Sequence, residues 1–151
     1  MIKGIYETHL QVSNLEKAIE FYRDTLGLEF ALLEEKRRIA FFWVGQSKEY
    51  MLGLWEVTDQ PVATRHFAFR CDEADMLKRS VSWLKERGLQ PYNFLKDGTE
   101  QPMVFAWMPA VAIYFNDPDG NVLEFIAILD GSAKPELGVI NYDEWLKKKD
   151  L

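Results

Sequence analysis

The sequence predicts an α+β fold in which a βαβββ unit occurs twice, and three observations carry that prediction. A strand-like run leading into an amphipathic helical stripe appears at residues 8–26 and again at 65–87. Each stripe ends at a glycine, Gly27 or Gly88, and three strand-like runs follow it. Late in the second half, Asn116-Asp117-Pro118-Asp119-Gly120 has the chemistry of a tight hairpin turn, because proline presets φ for an early turn position and glycine accepts positive φ.

In order, Thr8-His9-Leu10-Gln11-Val12 alternates like a half-buried strand. Ser13 and Glu16 have the spacing of a capping box, which starts a helix there. Leu15, Ala18, Ile19, Tyr22 and Leu26 then form one apolar stripe of 3.6-residue period. Strands are expected at 28–33, 39–44 and 50–57. The second half opens on Arg65-His66-Phe67-Ala68-Phe69, passes Asp72, and carries a stripe of Ala74, Leu77, Val81 and Leu84. Its strands are expected at 90–94, at 103–115 with a break at Pro109, and at 121–128. The organisation reads as one domain over 1–129 with repeats at about 4–57 and 64–128, then a tail at 130–151 holding a short helix from Asn141 through Tyr142, Trp145 and Leu146.

Composition excludes several classes. Lys and Arg number 18 against 24 Asp and Glu, a formal charge of −6, whereas nucleic-acid binding wants a basic face. No apolar run approaches the ~18 residues of a spanning helix, and the first residues lack the basic head and apolar stretch of a signal peptide. A cytoplasmic protein that binds neither nucleic acid nor membrane is expected. The lone Cys71 forms no internal disulfide, in keeping with a reducing compartment.

Residues 4–128 resemble the vicinal oxygen chelate superfamily, the glyoxalase, bleomycin-resistance and extradiol dioxygenase group. The likeness rests on Thr8 to Val12, Ala18-Ile19-Glu20-Phe21-Tyr22, Leu26-Gly27-Leu28, Arg65 to Phe69, and Tyr114-Phe115-Asn116-Asp117-Pro118-Asp119-Gly120-Asn121-Val122-Leu123-Glu124-Phe125. It implies paired modules curled into an open, cup-shaped mixed sheet with helices outside, a divalent metal on the inner wall, and a homodimer.

The residues point to the same metal. Only two histidines occur, His9 and His66, and both lie in the strand preceding a helix, at matching places in the repeats. If Leu10 and Val12 pack under the first helix, Glu7, His9 and Gln11 take the opposite face. By the same alternation His66, Ala68 and Arg70 share a face in the second half, and so do Val122, Glu124 and Ile126 in the last strand. A carboxylate in so apolar a strand needs a partner. Two imidazoles and Glu124 suit a first-row divalent ion such as zinc, nickel, manganese, cobalt or iron, with positions left open for substrate. A lone strand histidine ordinarily serves as a hydrogen-bonded structural residue; the repetition together with Glu124 favours ligation. Matching Leu52-Gly53-Leu54-Trp55 to Leu123-Glu124-Phe125-Ile126 sets Gly53 opposite Glu124, so the four-ligand glyoxalase pattern is broken and the three-ligand pattern survives. Glu56 is expected as a solvated surface residue on the other strand face.

The resemblance implies a small-molecule substrate that chelates the metal through neighbouring oxygens, with Lewis-acid stabilisation of an enolate or oxyanion. An isomerase or lyase reaction of glyoxalase type is expected. The alternatives are a metal-free drug-binding protein of bleomycin-resistance type, a fosfomycin-type thiol transferase and an extradiol dioxygenase. The thiol-transfer subfamily carries an arginine nine residues beyond the ligand glutamate, where this chain has Ala133. Candidate proton-transfer residues are Glu7 and Tyr114, the latter alternatively an ordinary half-buried strand tyrosine. Trp55 and Phe42 are expected as pocket walls, with core packing as the alternative, and Gln11 as a pocket residue. Arg70 is a partner for a substrate anion or Glu7, or else a surface charge.

Overall fold

A computed structural model describes residues 1–46 and 48–151, which fall into two compact units, 1–65 with 117–121, and 66–116 with 122–151. In the first, β1 (Glu7–Val12) leads to α1 (Leu15–Glu20), which runs on as a π-helical turn, Phe21–Thr25, before β2 (Glu29–Glu34), β3 (Ile39–Val44) and β4 (Tyr50–Glu56). The sheet order is β1-β4-β3-β2, with β1 and β4 parallel. Leu10, Val12, Phe42, Leu52 and Leu54 are fully buried or nearly so, as are Leu15, Ala18 and Tyr22 of the helical segment. This is the helix-covered face that the alternation in β1 predicts.

The cap and the course of this helix differ from the expectation. Asn14, not Ser13, is the N-cap, accepting from Lys17 N–H at 2.9 Å, while the Ser13 N–H is taken by Asp119 at 3.1 Å. The Leu15 N–H goes to Glu56 Oε2 at 2.7 Å. Glu56, expected to be solvated, is thus half-buried beneath the helix start, where Arg38 Nε also binds it at 2.9 Å. The switch to a π-turn accompanies Tyr22, whose hydroxyl is buried and donates to Asp117 at 2.8 Å. Asp117 also accepts from the Asp119 and Asn121 N–H groups, which shapes the predicted Pro-Asp-Gly turn.

The second unit contains β5 (His66–Arg70), α2 (Glu73–Lys78), α3 (Ser80–Glu86), β6 (Met103–Phe105), β7 (Ala110–Asn116), β8 (Val122–Ile128), β9 (Val139–Asn141) and α4 (Tyr142–Lys148). Its sheet order is β5-β8-β7-β6-β9, with β5 and β8 parallel. One predicted helix is here two, broken at Arg79, where Ser80 Oγ donates back to the Met76 carbonyl at 2.6 Å; such back-bonding bends helices. The expected strand at 90–94 shrinks to a single bridge between Tyr92 and Tyr114, and β6 fills its place in the repeat. Phe115, Leu123, Met76 and Leu84 are fully buried or nearly so.

The tail supplies β9, which covers the free edge of β6 in antiparallel pairing. It then enters α4, capped by Asn141 on the Glu144 N–H at 2.9 Å. Trp145 has no exposed surface and holds α4 down. Among the described residues, no helix is long and apolar enough to cross a membrane.

Candidate metal and catalytic site

Each unit places one histidine and one glutamate together. In the second unit Glu124 comes from the middle of β8, between Ala68 of β5 and Tyr114 of β7. His66 begins β5, and its Nε2 lies 3.0 Å from Glu124 Oε2. His66 Nδ1 is 2.9 Å from the Val122 carbonyl oxygen. A carbonyl can only accept, so Nδ1 carries a proton, and in the neutral ring the Nε2 lone pair then faces the carboxylate. Two acceptors at that distance need a proton or a cation between them.

Glu124 is 4% exposed, and burial pushes its carboxyl above the usual carboxylate range, opposed in part by His66. Its other oxygen, Oε1, is buried with no hydrogen-bond partner among the described residues. An orphaned carboxylate oxygen beside a correctly fixed imidazole is a donor set that fits a divalent ion. Tyr114 stands across the ladder from Glu124, its ring 5.7 Å from that of His66. Burial, and then the charge of Glu124, raises its phenol above the ordinary tyrosine range. Tyr92, Phe94 and Phe105 extend an aromatic wall from Tyr114, with Tyr92 stacked on it at 5.8 Å between centroids. Sequence reasoning missed these, since only the Tyr92 bridge ties that loop to β7.

In the first unit His9 is opposite Gly53 across β1 and β4. Its Nε2 lies 2.8 Å from Glu7 Oε1, and Trp55 Nε1 donates to its Nδ1. Phe41, also opposite Gly53, meets the His9 ring edge-on at 5.9 Å. Gly53 makes this arrangement possible: a Cβ there would lie 2.4 Å from His9 Nδ1.

The two histidines do not share a rung. The residue opposite Glu124 is Ala68, whereas His66 is opposite Val122, one alternation earlier. With Gly53 matched to Glu124, His9 is level with Ala68. His66 is also the first residue of its strand rather than a middle one. Among the described residues no three His, Cys, Asp or Glu side chains are gathered as a metal cluster; the donors come as two pairs, one per unit.

The remaining expected residues divide. Trp55 lies on the His9 face as expected. Phe42, expected as a pocket wall, is instead fully buried on the opposite face, packed on Tyr22 and Phe30. Phe41 is the strand neighbour on the His9 face, because β3 pairs Phe41, not Phe42, with Gly53. The Gln11 side chain is engaged by the Ala63 N–H at 2.9 Å, which fastens the segment after β4. Arg70 is exposed at the end of β5 and forms no ion pair among the described residues, and Glu7 is paired with His9 instead. Cys71 is half-buried, and burial pushes its thiol up to about 11, which makes it a poor nucleophile.

Comparison with known proteins agrees with this architecture. The chain is 32% identical over 129 residues to the metallothiol transferase FosB of Staphylococcus haemolyticus, covering 82% of this chain and 83% of that protein. A solved integron cassette protein from the mobile metagenome of a Halifax Harbour sewage outfall superposes with a TM-score of 0.71 at 34% identity, covering 84% of this chain and all of that one. A lactoylglutathione lyase from Agrobacterium tumefaciens shares the fold, with a TM-score of 0.63 at 24% identity over 83% of this chain and 94% of that one. The family pattern described as Glyoxalase/Bleomycin resistance protein/Dioxygenase superfamily matches residues 4–125, and the chain belongs to that superfamily.

Proposed function

We propose that the protein is a divalent-metal-dependent enzyme acting on a small oxygenated substrate. The observation that carries this is the His66–Glu124 pair, with the proton of His66 fixed on Nδ1 and Glu124 Oε1 left without a partner. Those two side chains are the proposed ligands in the second unit, and His9 is kept as the proposed third because the resemblance to the superfamily implies it. A divalent ion bound there supplies Lewis-acid polarisation of adjacent substrate oxygens.

The protein's own groups have separable tasks. The Val122 carbonyl orients His66 and fixes its tautomer. Tyr114, its phenol kept protonated by burial and by Glu124, offers an O–H beside the ligand pair and so donates a hydrogen bond to a substrate oxygen in place of acting as a base. Glu7 is the proposed base, acting when His9 releases it. The aromatic wall of Tyr92, Phe94 and Phe105 limits water on one side. The reaction this favours is a proton-transfer isomerisation or elimination, and the resemblance to the superfamily makes a homodimer the proposed active species.

A second reading, thiol addition to a small electrophile, is favoured by the name of the 32% identical relatives, metallothiol transferase. Ala133, where that subfamily has arginine, weighs against a phosphonate substrate.

The test is turnover by the protein loaded with zinc, manganese, nickel or cobalt. The substrates are a methylglyoxal–thiol hemithioacetal, fosfomycin with a thiol, and catechol with oxygen. The proposal expects chelator-sensitive turnover of the hemithioacetal or a related hydroxy-ketone. Turnover of fosfomycin alone would establish the second reading, and turnover of catechol alone would overturn both.

A further inference from the structure

We propose that Trp55 is a positioning residue that fixes the proton of His9 on Nε2, so that His9 enters metal coordination only after Trp55 turns away. An indole N–H can donate but never accept, and it points at His9 Nδ1. Nδ1 must therefore present its lone pair. Neutral imidazole has one proton, which falls on Nε2, where the Glu7 carboxylate accepts it at 2.8 Å.

His66 carries its proton on the other nitrogen, because the Val122 carbonyl can only accept. Two histidines from corresponding strands are thus held in opposite tautomers by the chemistry of their neighbours. The Nε2 lone pair of His66 is available to an ion, whereas the single lone pair of His9 is covered by the indole. For His9 to ligate through Nε2, its proton must pass through solvent to Nδ1. There it would meet the indole N–H, donor against donor. Trp55 is 39% exposed, with the Arg37 guanidinium 6.0 Å from its ring, so solvent borders the side chain that has to move. Gly53 completes the device, since any Cβ at that position would push the His9 ring off the indole.

The gating half rests on the metal-dependent reading above, and the tautomer half does not. The test is an imidazole ¹⁵N–¹H spectrum of the metal-free 151-residue chain at about pH 8.5, well above the ordinary imidazole pKa. The two histidines are told apart with His9→Gln. Zinc affinity is then measured by competition with a chromophoric chelator.

In the unmodified chain His9 should show a bare Nδ1 and a protonated Nε2. Trp55→Phe should shift it to a mixture and tighten zinc binding by roughly two- to ten-fold, the value of one net hydrogen bond. Gly53→Ala, with Trp55 intact, should disturb the same tautomer, which keeps the test decisive if either variant folds poorly. A His9 proton found on Nδ1, or a tautomer balance unchanged by both substitutions, would overturn the proposal. Failure of the unmodified chain to take up zinc would sink the metal-dependent reading and the gating half together, while the metal-free spectrum still decides the tautomer half.

Discussion

Replacing Glu124 with glutamine should make the metal-free protein more stable while removing a metal ligand. The carboxylate is buried, pairs through one oxygen with His66 at 3.0 Å, and leaves the other oxygen without a partner. An unsatisfied buried polar atom costs about 1–3 kcal/mol. Glutamine keeps the shape and leaves its carbonyl oxygen in the unpartnered place, but it makes that buried atom neutral instead of charged, which lowers the penalty, and it brings an N–H that can donate to the Nε2 lone pair of His66. A net gain of about 1–2 kcal/mol follows, or roughly 2–8 °C in Tm for a chain of this size.

The pH dependence has a definite sign. Burial raises the folded-state pKa of Glu124 above the ordinary 4.5, so the folded protein keeps this proton to higher pH than the unfolded chain does. The penalty is absent below the ordinary value, grows as pH rises from there, and is complete above the raised value. Calorimetry with chelator at about pH 4 and about pH 8 should therefore show Glu124→Gln equal to the parent in acid and more stable in base. A variant less stable than the parent at the higher pH would refute this account of Glu124.

Three further outcomes follow. Glu56→Gln should cost about 1–3 kcal/mol near neutral pH in urea unfolding, since it weakens the bonds to Arg38 and the Leu15 N–H. Arg38, then the Leu15 N–H, holds the Glu56 carboxyl below its usual 4.5, so this stabilisation is full above that value and disappears as pH falls through the lowered one; a difference that persists in strong acid would contradict it. Phe42→Ala should cost about 3–5 kcal/mol, and Phe41→Ala less than half as much, because Phe42 is fully buried and Phe41 only partly; the reverse order in the same assay would mean the two faces of β3 are misassigned. Trp145→Ala should lower stability by about 3–5 kcal/mol and speed amide exchange in β9 and β6, which the tail pairs together; unchanged exchange there would show that α4 does not hold the edge.

The repeated module was legible because its signals are periodic and local. Alternation in β1 separates Leu10 and Val12 from His9 and Gln11, and Gly27 and Gly88 close their helices with φ of 78° and 73°. What escaped was settled by partners distant in sequence. Ser13 and Asn14 are both good caps; Asn14 accepts from the Lys17 N–H, while Asp119 accepts the Ser13 N–H that Glu16 would take in a capping box. Glu56 reads as a surface acid until Arg38 and the Leu15 N–H are brought to it. Phe41 and Phe42 differ only by pairing register, which no spacing rule reports. The segment at 90–94 has strand-like composition, yet β7 accepts it through Tyr92 alone.

At the site, residue types were readable and their states were not. Face alternation named His66 and Glu124 as candidates, and the parallel pairing of β5 with β8 that brings them together is visible only in the structure. That Trp55 would cap the lone pair of His9 depends on Gly53 leaving room for the ring, a vacancy the sequence marked only as a missing ligand.

The most direct test of the account is the metal content and zinc affinity of tag-free protein, measured by elemental analysis and calorimetry beside His66→Ala and Glu124→Gln. A divalent ion bound in stoichiometric amount by the parent and lost from both folded variants is the predicted result. A parent that binds no divalent ion, or variants that bind as tightly as the parent, would contradict it.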